Sequence, residues 1–185
     1  DNPDVVADYF DMISRYMQEC PSVIFSNKRI VDVFRCALRG ITVQHKDACG
    51  MLMKFFQKFI QTGAEYQKKL LKAGDVTEHE NTLKMLRLIM HHHGEELTKG
   101  LLTGIAGGLP SSRLPFVVDV IEALVKYCGT AAKGWFTKLV VKLPQTENPS
   151  HQEFITVLFE KAKVYKHFKE AVREFSRALR AHLRY

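Results

Sequence analysis

Apolar residues return every three or four positions along almost the whole chain, the spacing of one face of an α-helix. Over residues 3–19 the stripe is Val6, Phe10, Ile13 and Met17, widened by Val5, Tyr9 and Tyr16. Asn2 is placed to cap this helix. Cys20-Pro21 stops it, because the residue before a proline is pushed out of the helical region. A short apolar step, Val23-Ile24-Phe25, leads to a second helix over residues 28–42, with Ile30, Phe34, Ala37, Leu38 and Ile41 on one face. A third follows the polar break at Gln44-His45-Lys46-Asp47 and carries Met51, Leu52, Phe55, Phe56, Phe59 and Ile60. Thr62-Gly63 predicts its end, as a C-terminal glycine signal.

Residues 64–81 are the least regular part. Gly74-Asp75 reads as a break, and Thr77-Glu78-His79-Glu80 as a capping box. A fourth helix with Leu83, Leu86, Ile89 and Met90 is expected to end at His93-Gly94. The next stretch reads as a hairpin. Leu97, Leu101, Leu102, Ile105 and Leu109 stripe its first helix, and Leu114, Val117, Val118, Ile121, Leu124 and Val125 its second. A tight turn through Leu109-Pro110-Ser111-Ser112 joins them, with the serine hydroxyls placed to cap the second helix. Beyond Cys128-Gly129, with Thr130 as cap, a seventh helix carries Trp135, Phe136, Leu139, Val140 and Leu143 up to Pro144. Residues 145–150 form a polar loop. An eighth helix carries Phe154, Ile155, Leu158, Phe159 and Ala162, and a terminal one Phe168, Val172, Phe175, Leu179 and Leu183. The apolar pairs that could pass for strands lie inside longer helical patterns, so the predicted class is all-α.

Few of these helices have an apolar face that one partner could cover. Pairing them in order gives units over residues 3–43, 46–93, 94–128 and 130–163, with a terminal capping helix over 164–184. The spacing is near the ~40–47 residues of HEAT-type repeats. The expected architecture is therefore an α-solenoid of antiparallel helix pairs, each packing on its mate and on the next unit. A globular helical bundle is the rival. The chain starts at Asp1-Asn2-Pro3 without an initiator Met, which reads as a cut inside a longer protein.

Three stretches carry a resemblance. Asn2-Pro3-Asp4-Val5-Val6, then residues 40–49 (Gly-Ile-Thr-Val-Gln-His-Lys-Asp-Ala-Cys), then residues 107–114 (Gly-Gly-Leu-Pro-Ser-Ser-Arg-Leu) resemble the C-terminal part of the transportin-SR group of nuclear import receptors, in the importin-β superfamily. The importin-13 group is similar over residues 33–50. The resemblance implies a HEAT-repeat receptor and no enzyme. Its cargo would be Arg/Ser-rich proteins, phosphorylated ones especially, released in the nucleus by RanGTP. It also implies shuttling between cytoplasm and nucleus, contact with nucleoporins, and Ran binding mainly through N-terminal repeats that this chain lacks. The family's arginine-rich, phosphoserine-reading helix lies upstream of this chain, and no equivalent run of arginines occurs here.

Composition changes this picture little. A net charge of +7 points to acidic partners, though also to general solubility. No two histidines are four apart, which removes the helical zinc pair, and no cofactor or metal is expected. Gly100, Gly104, Gly107 and Gly108 match no phosphate loop and read as a helix face stripped for close packing. Cys20, Cys36, Cys49 and Cys128 include no CxxC pair and read as buried thiols. No apolar run approaches the ~20 residues of a membrane span.

The remaining lead is basic. In a HEAT array the second helix of each pair lines the concave face. There Arg35 and Arg39 from one helix, with Lys84 and Arg87 from another, would form a positive strip for acidic or phosphorylated protein cargo. The terminal helix adds Lys166, Lys169, Arg173, Arg177, Arg180 and Arg184, with Glu170–Arg173 and Glu174–Arg177 expected as ion pairs. It lacks interleaved aromatics, so direct nucleic-acid binding is not expected.

Overall fold

The computed structural model describes residues 2–72, 77–161 and 164–181. All of its regular elements there are helical: α1 (Pro3–Glu19), α2 (Pro21–Ser26), α3 (Ile30–Arg39), α4 (Lys46–Lys72), α5 (Thr77–Thr103), α6 (Leu114–Val140), α7 (His151–Thr156) and α8 (Tyr165–Ala181). A π-helical turn, Gly104–Gly108, extends α5, and another, Val157–Lys161, extends α7.

The helices form two layers. In one, α1 lies on α4 and α4 on α6; in the other, α2 and α3 lie on α5, whose end meets α8. The layers meet on aromatics. Phe34 of α3 sits 4.8–6.1 Å, centroid to centroid, from Phe55, Phe56 and Phe59 of α4. Phe10 of α1 meets Phe55 edge-on at 5.2 Å, and Phe25 of α2 meets Phe59 at 5.4 Å. All six rings are buried, each contributing ~1.5–3 kcal/mol by burial, and the edge-on contacts add to that. Because α4 is covered on several sides, it buries a broad apolar stripe. α3 and α5 run parallel: Phe34 is level with His93, and Ile41, just past α3, with Gly100. Parallel second helices are what stacked antiparallel pairs produce.

The caps follow the sequence in part. The Asn2 side chain accepts the Asp4 N–H at 3.2 Å. Ser150 and Glu153 close a capping box the polar loop concealed: the Glu153 N–H reaches Ser150 Oγ at 3.2 Å, and the Ser150 N–H reaches Glu153 Oε2 at 2.8 Å. Ser111 and Ser112 do not cap; they form a 3₁₀ turn with Arg113, and Ser112 Oγ accepts from the Arg113 guanidinium. The apolar step after Pro21 is itself a short helix, because proline suits its first position. The predicted break at Gly74-Asp75 and the capping-box side chains of residues 77–79 lie outside the described residues, as does Leu183.

Two expected helix ends need correction. α4 does not stop at Gly63 but runs nine residues further, to Lys72, burying Tyr66. The α5 helix passes straight through Gly94, so the expected boundary between units at residues 93 and 94 falls inside it. The reason is contact: a Cβ on Gly94 would stand 2.2 Å from the Trp135 ring of α6. Gly94 is glycine because another helix touches it there, not because the chain turns. The expected boundary at residues 128–130 is present: Gly129, at φ 45° and ψ −115°, is not helical, so α6 is two helices joined at a kink there. Gly107 likewise ends a helix: its φ of 127° is open to glycine alone. Among the cysteines, Cys49 is buried and Cys128 partly so, while Cys20 and Cys36 are exposed, on the outer faces of their helices.

Two glycines separate packing from propensity. A Cβ on Gly134, in the exposed face of α6, would meet nothing within 4 Å. Gly134→Ala is expected to stabilise the chain by up to ~1 kcal/mol in urea unfolding. Gly94→Ala, with the same gain in propensity, is expected to destabilise it by ~1–3 kcal/mol and to shift Trp135 fluorescence. Equal effects from the two would show that Trp135 does not press on α5.

Candidate functional site

The four basic residues singled out in the sequence all lie exposed on second-layer helices, Arg35 and Arg39 on α3 and Lys84 and Arg87 on α5. The structure brings them together as two pairs and not as one cluster. Phe34 is level with His93, which is nine residues beyond Lys84 and six beyond Arg87. At ~1.5 Å per residue, Arg35 sits ~13 Å and ~9 Å further along the axis than those two side chains. Arg35 lies 3.9 Å from Asp32, and Lys84 Nζ lies 3.0 Å from Glu80. Such exposed pairs contribute little to stability, and each halves the free charge that its helix presents.

Arg87 also borders an apolar cavity of about 290 Å³ between α4, α5 and α6, lined by Phe59, Leu86, Met90, Tyr127, Cys128 and Trp135. Burial pushes the Cys128 thiol up to about 11, so at neutral pH it is protonated and a poor nucleophile. The cavity therefore offers packing space and no activated group. Among the described residues, no group of three or more His, Cys, Asp or Glu side chains could hold a metal ion. No described helix is long and apolar enough to cross a membrane.

The larger concavity, about 720 Å³, lies where α8 meets the start of α6 and the end of α5. Its lining is Ser111, Leu114, Arg173, Ser176, Arg177, Arg180 and Ala181. Arg180 is locked in place. Its Nη2 donates to the Leu109 carbonyl at 2.7 Å and to Gly104 at 3.2 Å, and its Nε to Ile105 at 3.1 Å and to Ser176 Oγ at 3.0 Å. Ser176 Oγ in turn donates to the Ile105 carbonyl at 2.6 Å. The carbonyls at the end of α5, left open by the π-helical turn, are thus capped by a guanidinium from a helix 71 or more residues away. The cation also sits at the negative end of the α5 dipole.

Arg173 and Arg177 remain exposed on the same face of α8. The expected pairs Glu170–Arg173 and Glu174–Arg177 do not form: among the described residues neither arginine has a carboxylate within 4.0 Å. Both line the concavity, and no carboxylate is among its described lining residues. The sequence showed the basic stripe of α8. It could not show that the turn at residues 109–113 stands opposite, because that contact spans about 60 residues.

With this geometry in view, the known proteins can be compared. Residues 41–132 match the Importin 13 repeat family. Transportin MOS14 of Arabidopsis thaliana is 29% identical over 144 residues, covering 78% of this chain and 14% of that protein. Importin-13 homolog A of Dictyostelium discoideum is 28% identical over 123 residues, covering 66% and 11%. The chain thus spans a small part of the length of either relative. In the solved structure of importin 13 in its cytosolic state, a stretch superposes with a TM-score of 0.71 at 13% identity, covering 93% of this chain and 19% of that one. The shared fold is an α-solenoid of HEAT-type helix pairs.

If Arg180 holds the end of α5, Arg180→Ala should lower unfolding free energy by ~2–4 kcal/mol, since it strips buried carbonyls of a charged donor. Arg180→Lys should recover only part of this, because one ammonium cannot reach three carbonyls at those angles. Urea unfolding and hydrogen exchange across α8 measure both. A change within ~0.5 kcal/mol for Arg180→Ala would place the arginine at the surface, not in the structure.

Proposed function

We propose that the chain is the C-terminal helical-repeat section of a nuclear import receptor of the importin type. It shapes the concave surface on which protein cargo lies. The observation that carries this reading is the match of residues 41–132 to the importin 13 repeat, over helices that stack as a solenoid. The cargo we propose is Arg/Ser-rich, splicing-factor-type protein, acidic through phosphorylation, taken into the nucleus and given up there to RanGTP. Ran would engage mainly repeats outside this chain, nucleoporins would be met in passage, and the receptor would shuttle between cytoplasm and nucleus. Transport by such a receptor is binding and release, so no catalytic group is required. The stated neighbours Arg35 with Arg39, and Lys84 with Arg87, would each contact the cargo, as two separated contacts and not as one strip.

A second reading has its own support. The α8 helix buries Phe168, Val172, Phe175 and Leu179, stacks Phe175 on Phe154 with centroids 3.9 Å apart, and caps α5 through Arg180. These are the properties of a lid on the end of a superhelix, with cargo held elsewhere. An importin-13-like receptor that carries cargo in both directions differs from the first reading only in what RanGTP does.

The deciding measurement is a cargo pull-down with the full receptor, with and without RanGTP. Import predicts that RanGTP releases cargo; cargo that requires RanGTP would mark an exporter. Charge reversal at Arg35, Arg39, Lys84 and Arg87 together is expected to weaken cargo capture by at least about tenfold, the scale of ~1.4 kcal/mol. Unchanged capture by a folded variant would favour the lid.

A further inference from the structure

The concavity beside α8 is the strongest uncompensated positive feature among the described residues. Arg173, Arg177 and Arg180 occupy positions i, i+4 and i+7, one face of a helix, and so stand in a row about 10 Å long. Arg180 is fixed by three carbonyls, which leaves it little freedom to lose when a ligand arrives. The other two have no carboxylate partner. Opposite them, the 3₁₀ turn that opens α6 has no side-chain cap, and Ser111 on that turn lines the concavity, so the positive end of a helix faces the arginines. Arg173, Arg177, the anchored Arg180 and Ser111 thus line a space of about 720 Å³ with no carboxylate among its described lining residues.

The spacing selects the ligand. Neighbouring arginines in the row are ~5–6 Å apart at Cβ. In an extended peptide, residues i and i+2 point to the same side and lie ~6.6–6.8 Å apart. An extended segment with an acid at every second position therefore matches the row; Arg173 and Arg177 offer the bidentate geometry that arginine favours, whereas Arg180, whose Nε and Nη2 already serve the α5 carbonyls, has only Nη1 to offer. Among the described residues no aromatic ring lines the concavity, so it lacks the aromatic platform on which single-stranded nucleic acid stacks its bases. We propose that this cleft binds an extended segment of a partner protein with Asp or Glu at alternating positions. The inference goes beyond the transport reading and does not depend on it: it concerns direct binding by this chain.

The test is fluorescence anisotropy of the chain with three labelled peptides of equal length, alternating Gly with Glu, with phosphoserine or with Gln. The Glu peptide should bind and the Gln peptide should not. Arg173→Glu with Arg177→Glu, both exposed and away from the α5 cap, should weaken binding at least tenfold while circular dichroism stays unchanged. Lys68→Glu, exposed on α4 and outside the cleft, should change it less than twofold. Tighter binding of the phosphoserine peptide would assign the same cleft to phosphate, and of the Glu peptide to carboxylate. Equal binding of the Gln peptide, insensitivity to Arg173 and Arg177, absence of binding at millimolar peptide, or tighter binding of single-stranded poly-U would each overturn the proposal. None of these outcomes alters what RanGTP does to cargo on the full receptor, so the two readings fail separately.

Discussion

The α5 helix must touch neighbours on two sides at once, and the rest of the fold is built around that requirement. It does so by losing side chains where it is approached. At Gly94 the Trp135 ring of α6 occupies the place of a Cβ; at Gly100 the side chain of Ile41 does the same from the other side, 2.7 Å from where a Cβ would stand. A helix with ordinary side chains at those positions would hold its neighbours further off and open voids, since packed interiors leave few gaps as large as a methyl group. The helix-propensity cost of two glycines, ~2 kcal/mol together, is set against close contact along both flanks. With α5 so placed, α3 falls parallel to it, α4 is covered by α1, α5 and α6, and the phenylalanines of α1 to α4 meet in one core.

The other end of α5 depends on a different device. A helix that finishes inside a stack leaves carbonyls with no partner in the next turn, and the left-handed Gly107 turns the chain away before water can reach them all. Arg180 and Ser176 of α8 supply the missing donors. The same helix anchors its apolar face by stacking Phe175 on Phe154. One side of α8 is therefore structural. Its remaining arginines, which no such contact requires, face the same cleft that Arg180 borders.

Charges already paired with a neighbouring carboxylate, such as Arg35 with Asp32 and Lys84 with Glu80, change their surroundings little when a ligand arrives. Charges without a partner, converging on a concavity, gain most.

The sequence by itself determined the helical class, the stripe on nearly every helix, the cap at Asn2 and the buried face of α8. These depend on 3.6-residue periodicity and on cap chemistry, which are local. It also located Arg35, Arg39, Lys84 and Arg87 on outward faces. It misplaced helix ends at Gly63 and Gly94, because a glycine that ends a helix and one that admits a neighbouring ring have the same local sequence. Which it is depends on Trp135, 41 positions away from Gly94. Only the tertiary structure decided that the Arg35–Arg39 and Lys84–Arg87 pairs are axially offset, that Glu170 and Glu174 form no ion pair with Arg173 and Arg177, and that Arg180 closes α5. Each of these is a relation between helices distant in the chain, fixed by packing and by the need of buried carbonyls for donors, and periodicity within one helix holds no information about it.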